Sequence, residues 1–143
     1  MKVVDANVLI YAVNRDALHH DRSRSWLDRS LSGEATVGFA WMVMLAFLRL
    51  TTKAGVFPTP LSTQAAVDRI DDWLSQPSAI VLEPTPRHLD LVAQLLQAVG
   101  SGANLVNDAH LGALAIENRG QVVSFDSDFA RLPGVEWEQP PPV

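Results

Sequence analysis

Short runs of wholly apolar residues alternate along the chain with longer segments whose apolar positions recur every three or four residues. The first kind reads as buried strand, the second as helix packed on one side. Val3 and Val4 predict a short strand ending at Asp5, and residues 6–13 a helix. A more polar helix follows over about 17–32, with Trp26, Leu27 and Leu31 on one side and Arg22, Asp28 and Arg29 facing water. After a turn at Ser32-Gly33, residues 35–39 form a second strand. Residues 41–53 form an apolar helix closed by Gly55. Pro58 and Pro60 mark a loop, and a helix over 62–76 buries the stripe Val67, Ile70 and Leu74. Residues 79–82 are a third strand. Thr85-Pro86 opens the next helix as N-cap and first-turn proline, turning Leu89, Val92, Leu95 and Leu96 inward. Gly100-Ser101-Gly102 breaks the chain, and Asn104 caps a helix that runs to about Asn118 and is ended by Gly120. A fourth strand over 122–125 leads into a short helix over 127–131.

Strands alternating with helices define an α/β protein whose mainly parallel sheet is covered on both faces. The 143 residues fit one domain spanning 1–143, with Gln139-Pro140-Pro141-Pro142-Val143 a frayed, flexible tail. No apolar run approaches the roughly 18 residues of a membrane span. Met1-Lys2 passes directly into Val3-Val4-Asp5, with a carboxylate where an export signal would be apolar, so a cytoplasmic location is expected. The absence of cysteine removes disulfides, thiolate–zinc sites and cysteine nucleophiles. A net charge of −5 argues against nucleic-acid binding by electrostatics alone. It leaves room for an enzyme that holds metal in an acidic pocket with a few arginines on its rim.

The candidate chemistry lies in three carboxylates. Asp5 and Asp126 each follow a short apolar strand, and ligands of open α/β sheets bind outside the carboxyl ends of the strands. Asp108 begins the helix Asn107-Asp108-Ala109-His110-Leu111-Gly112-Ala113-Leu114-Ala115, whose small residues Gly112, Ala113 and Ala115 allow close packing on the sheet. Each Asp taken alone is explained as a helix cap or a complement to a helix dipole. Converging at one rim, the three would repel one another and raise each other's pKa, which implies a bound divalent ion. Magnesium suits oxygen ligands and keeps waters available for chemistry, with manganese tolerated.

Three segments, Val4-Asp5-Ala6-Asn7-Val8-Leu9-Ile10-Tyr11, Asn107 to Ala115 and Val123-Ser124-Phe125-Asp126-Ser127-Asp128-Phe129, make the chain resemble the PIN-domain family. Within that family it is similar to the VapC-type toxins of bacterial toxin–antitoxin pairs. The resemblance implies a three-layer α/β/α sandwich, a magnesium-dependent endoribonuclease acting on RNA, a cognate antitoxin and a homodimer. It makes Asp5, Asp108 and Asp126 the catalytic metal-site carboxylates, with Asn7 supporting them. One departure stands out: Ala46 occupies the helix position where the family usually carries glutamate, which puts a second metal position in doubt. Asp128 is the nearest substitute in sequence, and its plainer reading is a solvated surface residue.

Other polar and aromatic groups have ordinary readings. His19-His20-Asp21 resembles a metal cluster but reads as a solvated helix start, and His110 reads as structural. Trp41, Met42, Met44, Phe47 and Leu48 at helical spacing read as core or dimer interface. Arg15, Arg49 and Lys53 are the candidates for contacting RNA phosphates. Two rivals remain: a phosphatase or receiver-like domain using Asp5 as phospho-acceptor, and a non-catalytic PIN module that only binds RNA or an antitoxin.

Overall fold

A computed structural model describes residues 1–100 and 102–143 of the chain, so the break expected at Gly100-Ser101-Gly102 lies partly outside the described residues. Five strands form one sheet in the order β3-β2-β1-β4-β5, all parallel. They are β1 (Lys2–Val4), β2 (Val37–Ala40), β3 (Ala79–Leu82), β4 (Gln121–Val123) and β5 (Trp137–Glu138). Val3 and Val4 of β1 pair with Val122 and Val123 of β4, and all four are fully buried, as central parallel strands require.

Six helices connect and cover the sheet: α1 (Ala6–Val13), α2 (His20–Leu31), α3 (Trp41–Thr51), α4 (Thr63–Leu74), α5 (His88–Val99) and α6 (Val106–Glu117). Helix α1 packs on α2 and α3, and α3 on α4, while α5 packs on α6. The handedness of parallel crossovers explains the division. From β1 to β3 the chain steps one way along the sheet, placing α1–α4 on one face. From β3 to β4 it crosses back beyond β1, placing α5 and α6 on the other. The strand order therefore reverses between β1 and β4, and the crevice beyond their carboxyl ends is the switch point where such folds bind ligands. The expected α/β/α sandwich is the observed one.

Several details differ from expectation for identifiable reasons. Helix α3 stops at Thr51, where the Thr51 and Thr52 hydroxyls donate to the carbonyls of Phe47 and Leu48 at 2.7 Å each; Gly55 sits in the following turn at φ 84°. Helix α4 buries Ala66, Ile70 and Trp73 rather than Val67 and Leu74, because Trp73 packs edge-on against Phe47 and beside Phe39. Helix α5 begins at His88, not at Thr85-Pro86: the Thr85 amide donates to Glu117 of α6 at 2.6 Å and its hydroxyl accepts from the Arg87 amide. Leu89, expected inward, is 78% exposed, and Leu95 is the buried residue of that helix. Asn104 falls in a 3-10 turn (Ala103–Leu105) and does not cap α6. Gly112 does permit a close approach, but to Val135, whose Cγ2 would lie 2.9 Å from an added Cβ. The loop it contacts leads into β5, an edge strand the hydrophobic pattern did not predict. Pro140 within 139–143 is buried, and its carbonyl accepts a 2.9 Å hydrogen bond from Arg22 Nε. Among the described residues no helix is long and apolar enough to cross a membrane.

Candidate metal centre

Asp5 and Asp126 both act as helix caps and both stand at the switch point. Asp5 Oδ1 accepts from the Ala6 amide at 2.7 Å, starting α1. Asp126 Oδ1 accepts from the Asp128 amide at 2.9 Å, starting a short 3-10 turn (Ser127–Arg131). That turn swings the Asp128 carboxylate back toward Asp126. Asp108 lies in the first turn of α6. One carboxylate oxygen from each of Asp108, Asp126 and Asp128 lies within 4.8 Å of the others. Asp5 is outside this tight group, but it lines a cleft of about 150 Å³ together with Asp108, Ala46, Arg49 and Asn107.

Asp128, whose plainer reading was surface, thus belongs to the cluster. Its bond to Arg131 is a loose, exposed one at 3.9 Å and leaves the carboxylate available.

A buried serine organises the group. Ser124 is fully inaccessible and follows β4 directly. Its hydroxyl donates to Asp5 Oδ2 at 2.7 Å, and accepts from Asn7 Nδ2 at 3.0 Å and from the Asp126 amide at 2.9 Å. Asn7 in turn accepts from the Phe125 amide at 3.2 Å. One hydroxyl and one amide therefore lock the strand end of β4 to the start of α1. Asn7 was expected in a supporting role; Ser124 was not singled out, although a serine closing the run Val122-Val123 is the signal that could have found it.

The electrostatics match the geometry. Burial pushes the Asp5 carboxyl above its ordinary range, and the Asp126 charge adds to this, against hydrogen bonds from Ser124 and Ala6. Asp108 is pushed up to about 7, first by burial and then by Asp126, Asp5 and Asp128. Such a group holds its proton weakly near neutrality and would exchange it for a cation. The donor set is entirely oxygen, and it fits a hard divalent ion.

Three neighbouring features are resolved as well. His88 Nε2 and His110 Nδ1 are 2.8 Å apart and the other side of His88 contacts Glu117, so His110 ties α6 to α5. Burial and then His88 push the His110 pKa down; burial pushes Glu117 up, but hydrogen bonds from His88 and Thr85 outweigh it and hold Glu117 below its ordinary range. The His19-His20 pair is not simply solvated: His19 stacks on Phe125 at 4.4 Å, and His20 Nδ1 lies 2.8 Å from the Tyr11 carbonyl. Within α3, Met44 and Phe47 enter the core, while Trp41 and Leu45 are more than half exposed. Of the three candidate phosphate contacts only Arg49 lines the cleft; Arg15 borders a separate hollow beside Phe57.

Residues 2–135 match the family described as PIN domain. Ribonuclease VapC37 of Mycobacterium tuberculosis is 59% identical over 141 residues, spanning 99% of this chain and 98% of the relative. Ribonuclease VapC33 of the same organism is 36% identical over 140 residues, spanning 98% of each. Among solved structures, VapBC2 from Rickettsia felis, bound to a DNA fragment from its promoter, matches with a TM-score of 0.72 at 17% identity, over 96% of this chain and 97% of that one. VapC20 of Mycobacterium tuberculosis, a Sarcin-Ricin loop cleaving toxin, matches with a TM-score of 0.64 at 19% identity, over 91% and 93%. At those identities the structural likeness speaks to the fold alone.

Proposed function

The chain belongs to the PIN domain family, and from that premise we propose that it is the endoribonuclease toxin of a toxin–antitoxin pair, cutting RNA at a magnesium site formed by Asp5, Asp108, Asp126 and Asp128. The observation that carries this reading is the meeting of three carboxylates within 4.8 Å at the sheet's switch point, one of them with its pKa near 7. Asp108, Asp126 and Asp128 hold the ion, with Asp5 completing the set from the cleft side. When bound, magnesium polarises a phosphoryl oxygen and lowers the pKa of a coordinated water. Ser124 and Asn7 fix the Asp5 carboxylate so that it need not reorganise as charge develops. Hydrolysis forms a bond from the water oxygen to phosphorus and breaks the bond to the departing ribose oxygen. The water's proton passes to solvent, and the departing ribose oxygen takes up a proton from solvent to leave as a hydroxyl. Manganese supports the same chemistry through the same donors.

Relatives carrying the ribonuclease name support the activity, and toxin–antitoxin complexes among the structural neighbours support an antitoxin partner. A homodimer and a cytoplasmic location belong to the same reading. A phosphatase or receiver-like chemistry is disfavoured by the cleft, whose lining includes Arg49 but no lysine; Lys2 lies at the opposite end of β1, bound to Gln121 at 2.6 Å. A merely binding module is disfavoured because Asp128 restores the carboxylate count that Ala46 lowers. Expression of this chain alone should arrest bacterial growth, and co-expression of its antitoxin should relieve the arrest. Soluble, folded protein that causes no arrest would refute the toxin assignment.

A further inference from the structure

The metal-site reading leaves a charge problem. Four carboxylates surround the crevice, a divalent ion offsets two negative charges, and the incoming phosphodiester brings another. The chain as a whole carries −5, so its general surface supplies no compensating field. Some cation must meet the phosphate locally.

Arg49 is placed for this. It lies three residues after Ala46 on α3, so both side chains share one helix face, and both line the cleft with Asp5 and Asp108. The methyl group of Ala46 leaves the space between Arg49 and the carboxylates open. Arg22 donates to the Pro140 carbonyl, Arg24 sits beside Asp28 on α2, and Arg131 touches Asp128 only loosely from the exposed side; none of these three lines the cleft, as Arg49 does. Among the described residues no carboxylate lies within 4.0 Å of the Arg49 guanidinium, and its donors bond to no other side chain. A planar fork of uncommitted donors beside an oxygen-rich metal site matches two oxygens of a phosphate.

The geometry points to Arg49 as a catalytic residue. Its guanidinium takes the non-bridging oxygens of the scissile phosphate and carries part of the charge that develops there. It would thereby add positive charge beside the carboxylates that hold the ion, on the face of α3 that Ala46 leaves open. The inference rests on the metal-site reading, so the test includes a variant that reports on that reading separately.

Single-turnover cleavage of a short RNA at saturating magnesium would be measured for wild type, Arg49→Ala, Arg49→Lys, Arg69→Ala and Asp108→Asn. Arg69→Ala removes the same charge from the exposed side of α4. Binding of uncleaved RNA in EDTA would be followed by fluorescence anisotropy on the same proteins. Arg49→Ala should slow the chemical step on the order of a hundredfold to a thousandfold, as loss of one transition-state donor does. Its affinity for uncleaved RNA in EDTA should fall by less than about tenfold. Guanidinium ion added to the medium should restore part of the lost rate, Arg49→Lys should be intermediate, and Arg69→Ala should match wild type. Arg49→Ala cleaving within about threefold of wild type while Asp108→Asn is inactive would overturn the inference and leave the metal site standing. A slow Arg49→Ala that guanidinium does not rescue would overturn it too, making Arg49 a structural residue. Activity retained in Asp108→Asn would overturn the metal-site reading and the inference together.

Discussion

Replacing Asp108 by Asn should stabilise the metal-free protein, and the gain should depend on pH. The carboxyl is pushed from its ordinary 3.8 up to about 7 by burial and by three neighbouring carboxylates. Between those two values the folded state holds a proton that the unfolded state has released. Stability contributed by this group is therefore full below about pH 4, declines as pH rises, and is lost above about pH 7. At 1.36 kcal/mol per unit the full difference would be about 4 kcal/mol, but Asp108 is only partly buried and solvent screens its neighbours. A gain of about 1–2 kcal/mol at pH 8 is expected, after the loss of a favourable charge from the first turn of α6. For a chain of this size that corresponds to roughly 3–6 °C in Tm. Thermal unfolding of both proteins in EDTA, at pH 8 and again at pH 4, measures it. At pH 4 the difference should vanish, and at pH 8 added magnesium should favour wild type, because only wild type retains the full ligand set. An Asn variant no more stable than wild type at pH 8 in EDTA, or equally stabilised at both pH values, would refute the argument.

Because Asp108 gives up its proton near pH 7 when the ion binds, the magnesium needed for half-maximal cleavage should rise as pH falls from 8 to 6, approaching about tenfold per unit; a flat dependence in magnesium titrations would detach Asp108 from the ion. Ala46→Glu should add an oxygen donor in the cleft and lower that magnesium requirement, whereas Asp128→Asn should raise it. Unchanged titrations in folded Ala46→Glu would show that this position of α3 does not address the site. Ser124→Ala leaves Asn7 and the Asp126 amide without their buried acceptor and should cost about 1–3 kcal/mol in denaturant unfolding, with a loss of cleavage that excess magnesium does not restore.

The parts of the site that follow from local rules were legible in the sequence. Asp5 and Asp126 end apolar runs, and the carboxyl ends of parallel strands meet at one rim whatever the loops do. Asp108 was legible because an acidic residue in a helix rich in Ala and Gly must lie near whatever that helix packs on. Asp128 was not: the short helix over 127–131 was expected, but the meeting of its Asp128 carboxylate with Asp126 and Asp108 depends on where the fold sets α6 against the end of β4. The start of α5 shifted because Glu117, 32 residues away, accepts the Thr85 amide; a tertiary partner overrode a local cap. Strand β5 is two residues long and exists through pairing with β4, so alternation could not reveal it. Arg49 was one of three candidates for phosphate contact in the sequence, and only the fold set it apart by lining the cleft with Asp5 and Asp108.

We propose that the carboxylates at the end of β4 and the start of α6 hold the ion needed to cut RNA. Purified protein stripped with EDTA, given a defined RNA and titrated with magnesium, tests it when run beside Asp126→Asn. No cleavage in EDTA, recovery with magnesium in wild type and none in a folded Asp126→Asn at any magnesium concentration is the predicted result. Cleavage that persists in EDTA, or an Asp126→Asn protein with the magnesium response of wild type, would contradict it.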